Sequence, residues 1–155
     1  MSAALIDELY SAFARKDAAA MGACYAADAT FSDPVFRGLR GAQVPAMWRM
    51  LCERGADLVV THGDVHAEGA AGSARWDATY TFAQTGRHVH NQIRARFTFN
   101  GGKIASHVDE FSLWRWTRMA LGARGLLLGW SPPVQTKVRE QAMRGLELYM
   151  KRHRL

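Results

Sequence analysis

The sequence predicts an α+β domain: three helices with a short strand among them, then a four-stranded antiparallel meander, then a helical C-terminal extension. Three observations carry this. Apolar residues recur with a period near 3.6 up to Leu51, and with a period of 2 from Leu58 to Phe111. Glycine-bearing turns interrupt the alternation at Gly69–Gly72, at Gly86 and at Asn100-Gly101-Gly102. After Phe111 the alternation stops, and Leu113-Trp114-Arg115-Trp116 opens an apolar, basic segment. The chain has 155 residues, 48% hydrophobic and 22% charged, which fits one folded domain and excludes a disordered or fibrous chain.

Each element has a local reason. Leu5, Leu9 and Phe13, with Ile6 and Tyr10 beside them, make one apolar helix face. Asp17 is an N-cap for a second helix carrying Met21, Cys24 and Tyr25. Thr30-Phe31-Ser32 reads as a short strand, stopped by Asp33-Pro34, and Gly38 and Gly41 bracket a turn. Val44, Met47, Trp48 and Leu51 form a third helix, with Pro45 in its first turn and Gly55 at its end. Strands follow at Leu58–His66, Arg75–Phe82, His88–Phe99 and Lys103–Phe111. In the third of these, Val89, Asn91, Ile93, Ala95, Phe97 and Phe99 alternate with His88, His90, Gln92, Arg94, Arg96 and Thr98. Trp114 and Trp116 stand two apart, which suggests a strand end or a bend. A last amphipathic helix is expected from about Val134 to Arg152. The division is 1–112 and 113–155, with the second part packed on the first.

Charge narrows the function classes. Residues 1–112 hold eleven Lys/Arg against twelve Asp/Glu, net −1; residues 113–155 hold nine against two, net +7. A near-neutral domain with a basic tail, without interleaved aromatics, argues against nucleic acid as a partner. No apolar run approaches the ~20 residues of a membrane span. The N-terminal residues lack the pattern of a secretory signal, so a cytoplasmic location is expected. Cys24 and Cys52 sit in apolar surroundings and read as reduced core thiols. His62, His66, His88 and His90 have no Cys or carboxylate placed beside them in the sequence pattern, so no metal is expected; nor is a cofactor.

Tyr25-Ala-Ala-Asp28-Ala-Thr-Phe31-Ser-Asp33-Pro34-Val35, followed by Gly38 and Gly41, resembles the nuclear transport factor 2-like superfamily. Phe97-Thr-Phe99-Asn100-Gly-Gly-Lys103-Ile104 and His107-Val-Asp109-Glu-Phe111 resemble its closing hairpin. Ketosteroid isomerases and SnoaL-like polyketide cyclases belong there. The resemblance implies a cone: a strongly bent antiparallel sheet wrapped on three N-terminal helices, with one mouth. Asp33 matches the isomerase carboxylate that removes a proton next to a carbonyl. The same register puts the isomerase helix tyrosine at Leu9, with Tyr10 about 100° around the helix, and its strand aspartate at Ala95. The isomerase oxyanion hole is therefore not repeated. His107 and Asp109 resemble instead the acid/base pair of SnoaL-like cyclases.

Three candidate catalytic residues follow: Asp109 as main acid/base group, His107 as its partner, and Asp33 as a second carboxylate. Asp33 equally suits a turn that bonds backbone N–H groups, and His107 with Asp109 equally suits a satisfied buried pair. Tyr10 and Asn91 are candidate donors. Trp48, Trp76, Tyr80, Phe97 and Phe111 are candidate walls, since core and pocket lining coincide in a cone. The expected ligand is small and apolar, flat enough to be polycyclic. The expected chemistry is proton movement next to a carbonyl, or water addition. A non-catalytic ligand-binding or protein-interaction module is the alternative. The polar outer sheet face, with related folds, suggests a homodimer. The apolar extension is expected to cap the fold, ahead of docking on a partner and, last, on a membrane surface.

Overall fold

The computed structural model describes residues 2–155. Helix α1 (Ser2–Ala14) buries Ile6, Leu9, Tyr10 and Phe13, the spacing of one helix face. Helix α2 (Ala18–Ala23) starts at Asp17, whose carboxylate accepts the Ala20 N–H at 3.0 Å. The helix ends sooner than its sequence suggests. The Cys24 N–H turns back to Met21 and Gly22, and the Cys24 carbonyl accepts the Ile104 N–H at 2.9 Å. Tyr25 thus opens strand β1 (Tyr25–Ser32), five residues before the expected start.

Asp33 closes β1 as foreseen. Gly38 and Gly41, with φ of 68° and 56°, then fold the two-residue strand β2 (Leu39–Arg40) back onto it. Helix α3 (Gln43–Arg54) buries Val44, Met47, Trp48 and Met50 and ends at Gly55. Strands β3 (Val59–Glu68), β4 (Ala71–Phe82), β5 (Arg87–Asn100) and β6 (Lys103–Glu110) form the meander. Gly101 and Gly102, both at positive φ, make its last tight turn.

The sheet order is β2-β1-β6-β5-β4-β3, an open series. β1 runs parallel to β6, so the sheet is mixed at that one pair. Register shifts interrupt the β1–β6, β3–β4 and β5–β6 pairs, bending the sheet around α1 and α3. The alternation in β5 holds: Val89, Asn91, Ile93, Ala95 and Phe97 are buried, and the residues between them are exposed. The concave side is filled by Tyr10, Phe13, Phe31, Trp48, Met47 and Ile104.

Three more helices follow: α4 (Leu113–Leu121), α5 (Ala123–Leu128) and α6 (Pro132–His153). Trp114 and Trp116 lie on α4, not at a strand end or bend. Ser112 caps that helix through the Arg115 N–H at 3.2 Å, so a helix begins where the indole spacing suggested a strand. Leu113, Trp116 and Ala120 pack on Val89, with Tyr80, Phe82 and Phe111 beside them. Val89, Tyr80 and Phe82 lie on the inward face of β4 and β5, so α4 covers one end of the concave side. Helix α6 rests on α3 through Leu146 and Tyr149, and Arg139 Nε donates to the Pro34 carbonyl at 2.8 Å. No described helix is long and apolar enough to cross a membrane.

Candidate active site

The sheet brings a hydrogen-bonded chain of side chains together on its concave side. His107 is fully buried and Asp109 is 3% exposed. His107 Nε2 lies 2.8 Å from Asp109 Oδ1, and His107 Nδ1 lies 2.8 Å from the Tyr25 hydroxyl. Trp48 Nε1–H donates to the Tyr25 oxygen at 3.0 Å, and Trp76 Nε1–H donates to Asp109 Oδ1 at 3.3 Å.

The direction of this chain follows from its ends. An indole N–H only donates, so the Tyr25 oxygen accepts from Trp48, leaving the Tyr25 O–H to donate to Nδ1. Burial, then the charge of Asp109, raises the Tyr25 phenol well above its ordinary value, so its proton stays. A neutral His107 then carries its proton on Nε2 and donates it to Asp109. Phe31, Phe97 and Trp48 enclose the imidazole, with ring centroids 4.9, 4.3 and 6.0 Å away.

Asp33 comes from the turn after β1. Its Oδ1 accepts the Val35 N–H at 2.7 Å and the Phe36 N–H at 2.5 Å. Both readings of this residue thus meet in one group: it shapes the turn, and it is also a shifted acid. Burial pushes its carboxyl up to about 7, the two N–H bonds oppose this, and the nearby charge of Asp109 adds to it. Among the described residues, neither Asp33 Oδ2 nor Asp109 Oδ2 has a hydrogen-bond donor.

The other candidates fall on the same concave side. Asn91 is buried and its amide has no partner among the described residues. Tyr80 accepts the Trp116 Nε1–H at 2.7 Å, and Phe111 is half-buried against α4. Tyr10 is fully buried beside Trp76 and Phe97, stacked on His62, and its hydroxyl has no partner among the described residues. Burial, with the charges of Asp109 and Tyr25, holds the Tyr10 phenol well above its usual value. Trp48, Trp76 and Phe97 pack deep, around His107 and Asp109. Two of the five other histidines meet carboxylates that the sequence pattern did not reveal: His62 with Asp7 and His90 with Asp77, each at 2.9 Å.

Tyr25 is the residue that sequence reasoning missed. Read as helical, it could not be placed next to a β6 side chain. Two surface grooves, of about 720 and 680 Å³, lie away from these groups. One runs along the outer sheet face past His66, Arg96, Thr98 and Ser106. The other lies between α2, α3 and Leu155.

Known structures share this architecture. A nuclear transport factor 2-like protein from Burkholderia pseudomallei superposes with a TM-score of 0.65 at 20% identity, over 74% of this chain and 93% of that one. A protein with a ketosteroid isomerase-like fold from Catenulispora acidiphila, solved with trimethylamine, gives 0.66 at 16% identity over 75% and 91%. An epoxide hydrolase from Mycobacterium tuberculosis, of the LEH-like type, gives 0.63 at 18% identity over 79% and 90%. At these identities the likeness is one of fold. No curated protein matches the chain by sequence. The model of the SnoaL-like domain matches residues 6–107, from within α1 through α2, α3 and β1 to β6 as far as His107, and the chain therefore belongs to the SnoaL-like domain family within the nuclear transport factor 2-like fold.

Proposed function

We propose that this protein is a small-molecule enzyme that moves a proton next to a carbonyl of an apolar substrate. The observation that carries this is one pair of carboxylates. Asp33, shifted to about 7, feels the charge of Asp109, which is tied to His107, on an apolar concave face, and each keeps one oxygen free of the described donors. A carboxyl near neutrality exchanges a proton with carbon acids more effectively than one at its ordinary value. In this scheme Asp33 carries the proton. Asp109, fixed by His107 and Trp76, receives the substrate's second polar group or its proton. Asn91 orients the carbonyl, and Tyr80 and Phe111 flank the substrate beneath α4. The scheme moves the main acid/base role from Asp109 to Asp33, because Asp109 Oδ1 is already committed to two donors.

The test is binding and solvent-exchange measurement over a panel of flat apolar ketones and polyketide-like β-dicarbonyls. The scheme expects at least one ligand to raise the melting temperature, with both signals lost in Asp33→Asn.

A second scheme, ligand binding without chemistry, draws support from the aromatic filling around His107 and the absence of an isomerase-type donor at Leu9 and Ala95. Binding unaccompanied by exchange separates it from the first. We propose also that the chain is a homodimer through the outer sheet face, which sedimentation at micromolar concentration checks.

A further inference from the structure

The C-terminal segment divides its apolar residues in an unusual way. On α4 Leu113, Trp116 and Ala120 are buried, whereas in α5 and the residues just after it Leu126, Leu127, Leu128 and Trp130 are 47%, 68%, 53% and 66% exposed. The exposure follows from which side of α5 faces the protein. Gly125 and Gly129 lie against Thr117, so close that a Cβ on either would meet a Thr117 oxygen at 1.9 Å. The small face of the short helix is spent on packing, and the leucine face is left in water. Burial of leucines is the ordinary arrangement, since each fully buried one contributes about 1.5–3 kcal/mol. An inverted helix with a tryptophan at its end calls for an apolar environment outside the chain.

The charge around it says which one. From Phe111 to Arg139 the chain has five cations, Arg115, Arg118, Arg124, Lys137 and Arg139, and no acid. None of the five is in an ion pair among the described residues. Exposed leucines and a tryptophan on a stretch of chain that carries only cations match the two attractions of a peripheral membrane contact, apolar insertion and charge toward anionic headgroups. We infer that Leu126–Leu128 and Trp130 form a peripheral anchor for an anionic lipid bilayer. Helix α4, which covers one end of the concave side, then lies next to the bilayer, a natural source of apolar ligands.

The experiment is co-sedimentation of the full chain with phosphatidylcholine vesicles containing about one quarter phosphatidylglycerol, and with phosphatidylcholine alone. Binding to the anionic vesicles is expected, reduced about tenfold by Leu127→Glu with Leu128→Glu, and reduced similarly by omitting the anionic lipid or by Arg118→Gln with Arg124→Gln. Brominated acyl chains should quench tryptophan emission in the wild type and much less in Trp130→Phe. All these side chains are exposed, so the variants keep the fold, which circular dichroism verifies. Absence of vesicle binding, or binding indifferent to the leucine pair, overturns the inference. So does a wild-type dimer that Leu127→Glu splits into monomers, since a second copy would then cover the patch.

Discussion

His107 Nε2 donates to Asp109 Oδ1 across 2.8 Å in a fully buried setting, and the Tyr25 hydroxyl holds the other ring nitrogen at the same distance. The imidazole is thereby fixed at both ends, in one tautomer and one orientation. Tyr25→Phe removes the donor to Nδ1 and leaves the Trp48 N–H without its acceptor. The expected cost is about 1–3 kcal/mol of stability, measured by chemical denaturation. The ¹⁵N shifts of His107 should reveal an altered tautomer balance, which a loss of packing alone would not produce.

Asp109→Asn keeps shape and an acceptor for Trp76 but loses the charge. The melting temperature should stay within a few degrees while turnover vanishes. Asp109→Ala removes the partner of a buried imidazole and should cost about 3–5 kcal/mol. Full ligand binding and turnover in Asp109→Asn would make the pair purely structural.

Asp33 sets the pH dependence. Its folded value of about 7 lies above the ordinary 3.8, so the folded state holds the proton more tightly than the unfolded one. Its contribution to stability is therefore greatest below pH 4 and is lost as pH rises through 7. Asp33→Asn should stabilise the protein relative to wild type by about 1–3 kcal/mol at pH 8, and by little at pH 4. Denaturation curves at the two pH values measure the difference; an advantage that is equal at both contradicts the shifted carboxyl.

Much of this was legible in the chain. Strand β5 is buried on one side only, so its period of 2 survives in the sequence and placed Asn91 and Phe97 correctly. His107 and Asp109 share parity on β6, which put them on one face. Strand β1 was not legible over its first half. Its pairing with β6 shifts register between Tyr25 and Thr30, and Asp28 is exposed, so no alternation marks it. Contacts that cross strands, such as Trp76 to Asp109, depend on a register no single sequence displays. On α4, the two-residue spacing of Trp114 and Trp116 suggests a strand end or a bend, but the helix buries only Trp116; Trp114 remains half-exposed, its indole bonded to the Leu126 carbonyl at 3.2 Å.

The seating of α5 is testable by itself. Gly125→Ala places a methyl group against the Thr117 carbonyl, and the backbone must move. Loss of about 1–3 kcal/mol is expected by thermal unfolding. An unchanged melting temperature would show that α5 is not held where the glycines put it.

Deleting residues 113–155 strips Val89, Tyr80 and Phe82 of the α4 side chains that cover them and α3 of Leu146 and Tyr149. The truncated chain should aggregate or unfold, scored by light scattering and circular dichroism. A soluble, folded 1–112 fragment would refute the capping role of the extension.

The central claim is that Asp33 exchanges protons with a carbon acid on the concave face. Its most direct measurement is the rate of deuterium incorporation next to the carbonyl of a bound ketone, followed by NMR from pH 5 to 9. The account predicts exchange that rises with pH about a midpoint near 7 and is abolished in Asp33→Asn. Exchange that keeps its rate and midpoint in Asp33→Asn, or binding of the same ketones with no exchange at any pH, would contradict it.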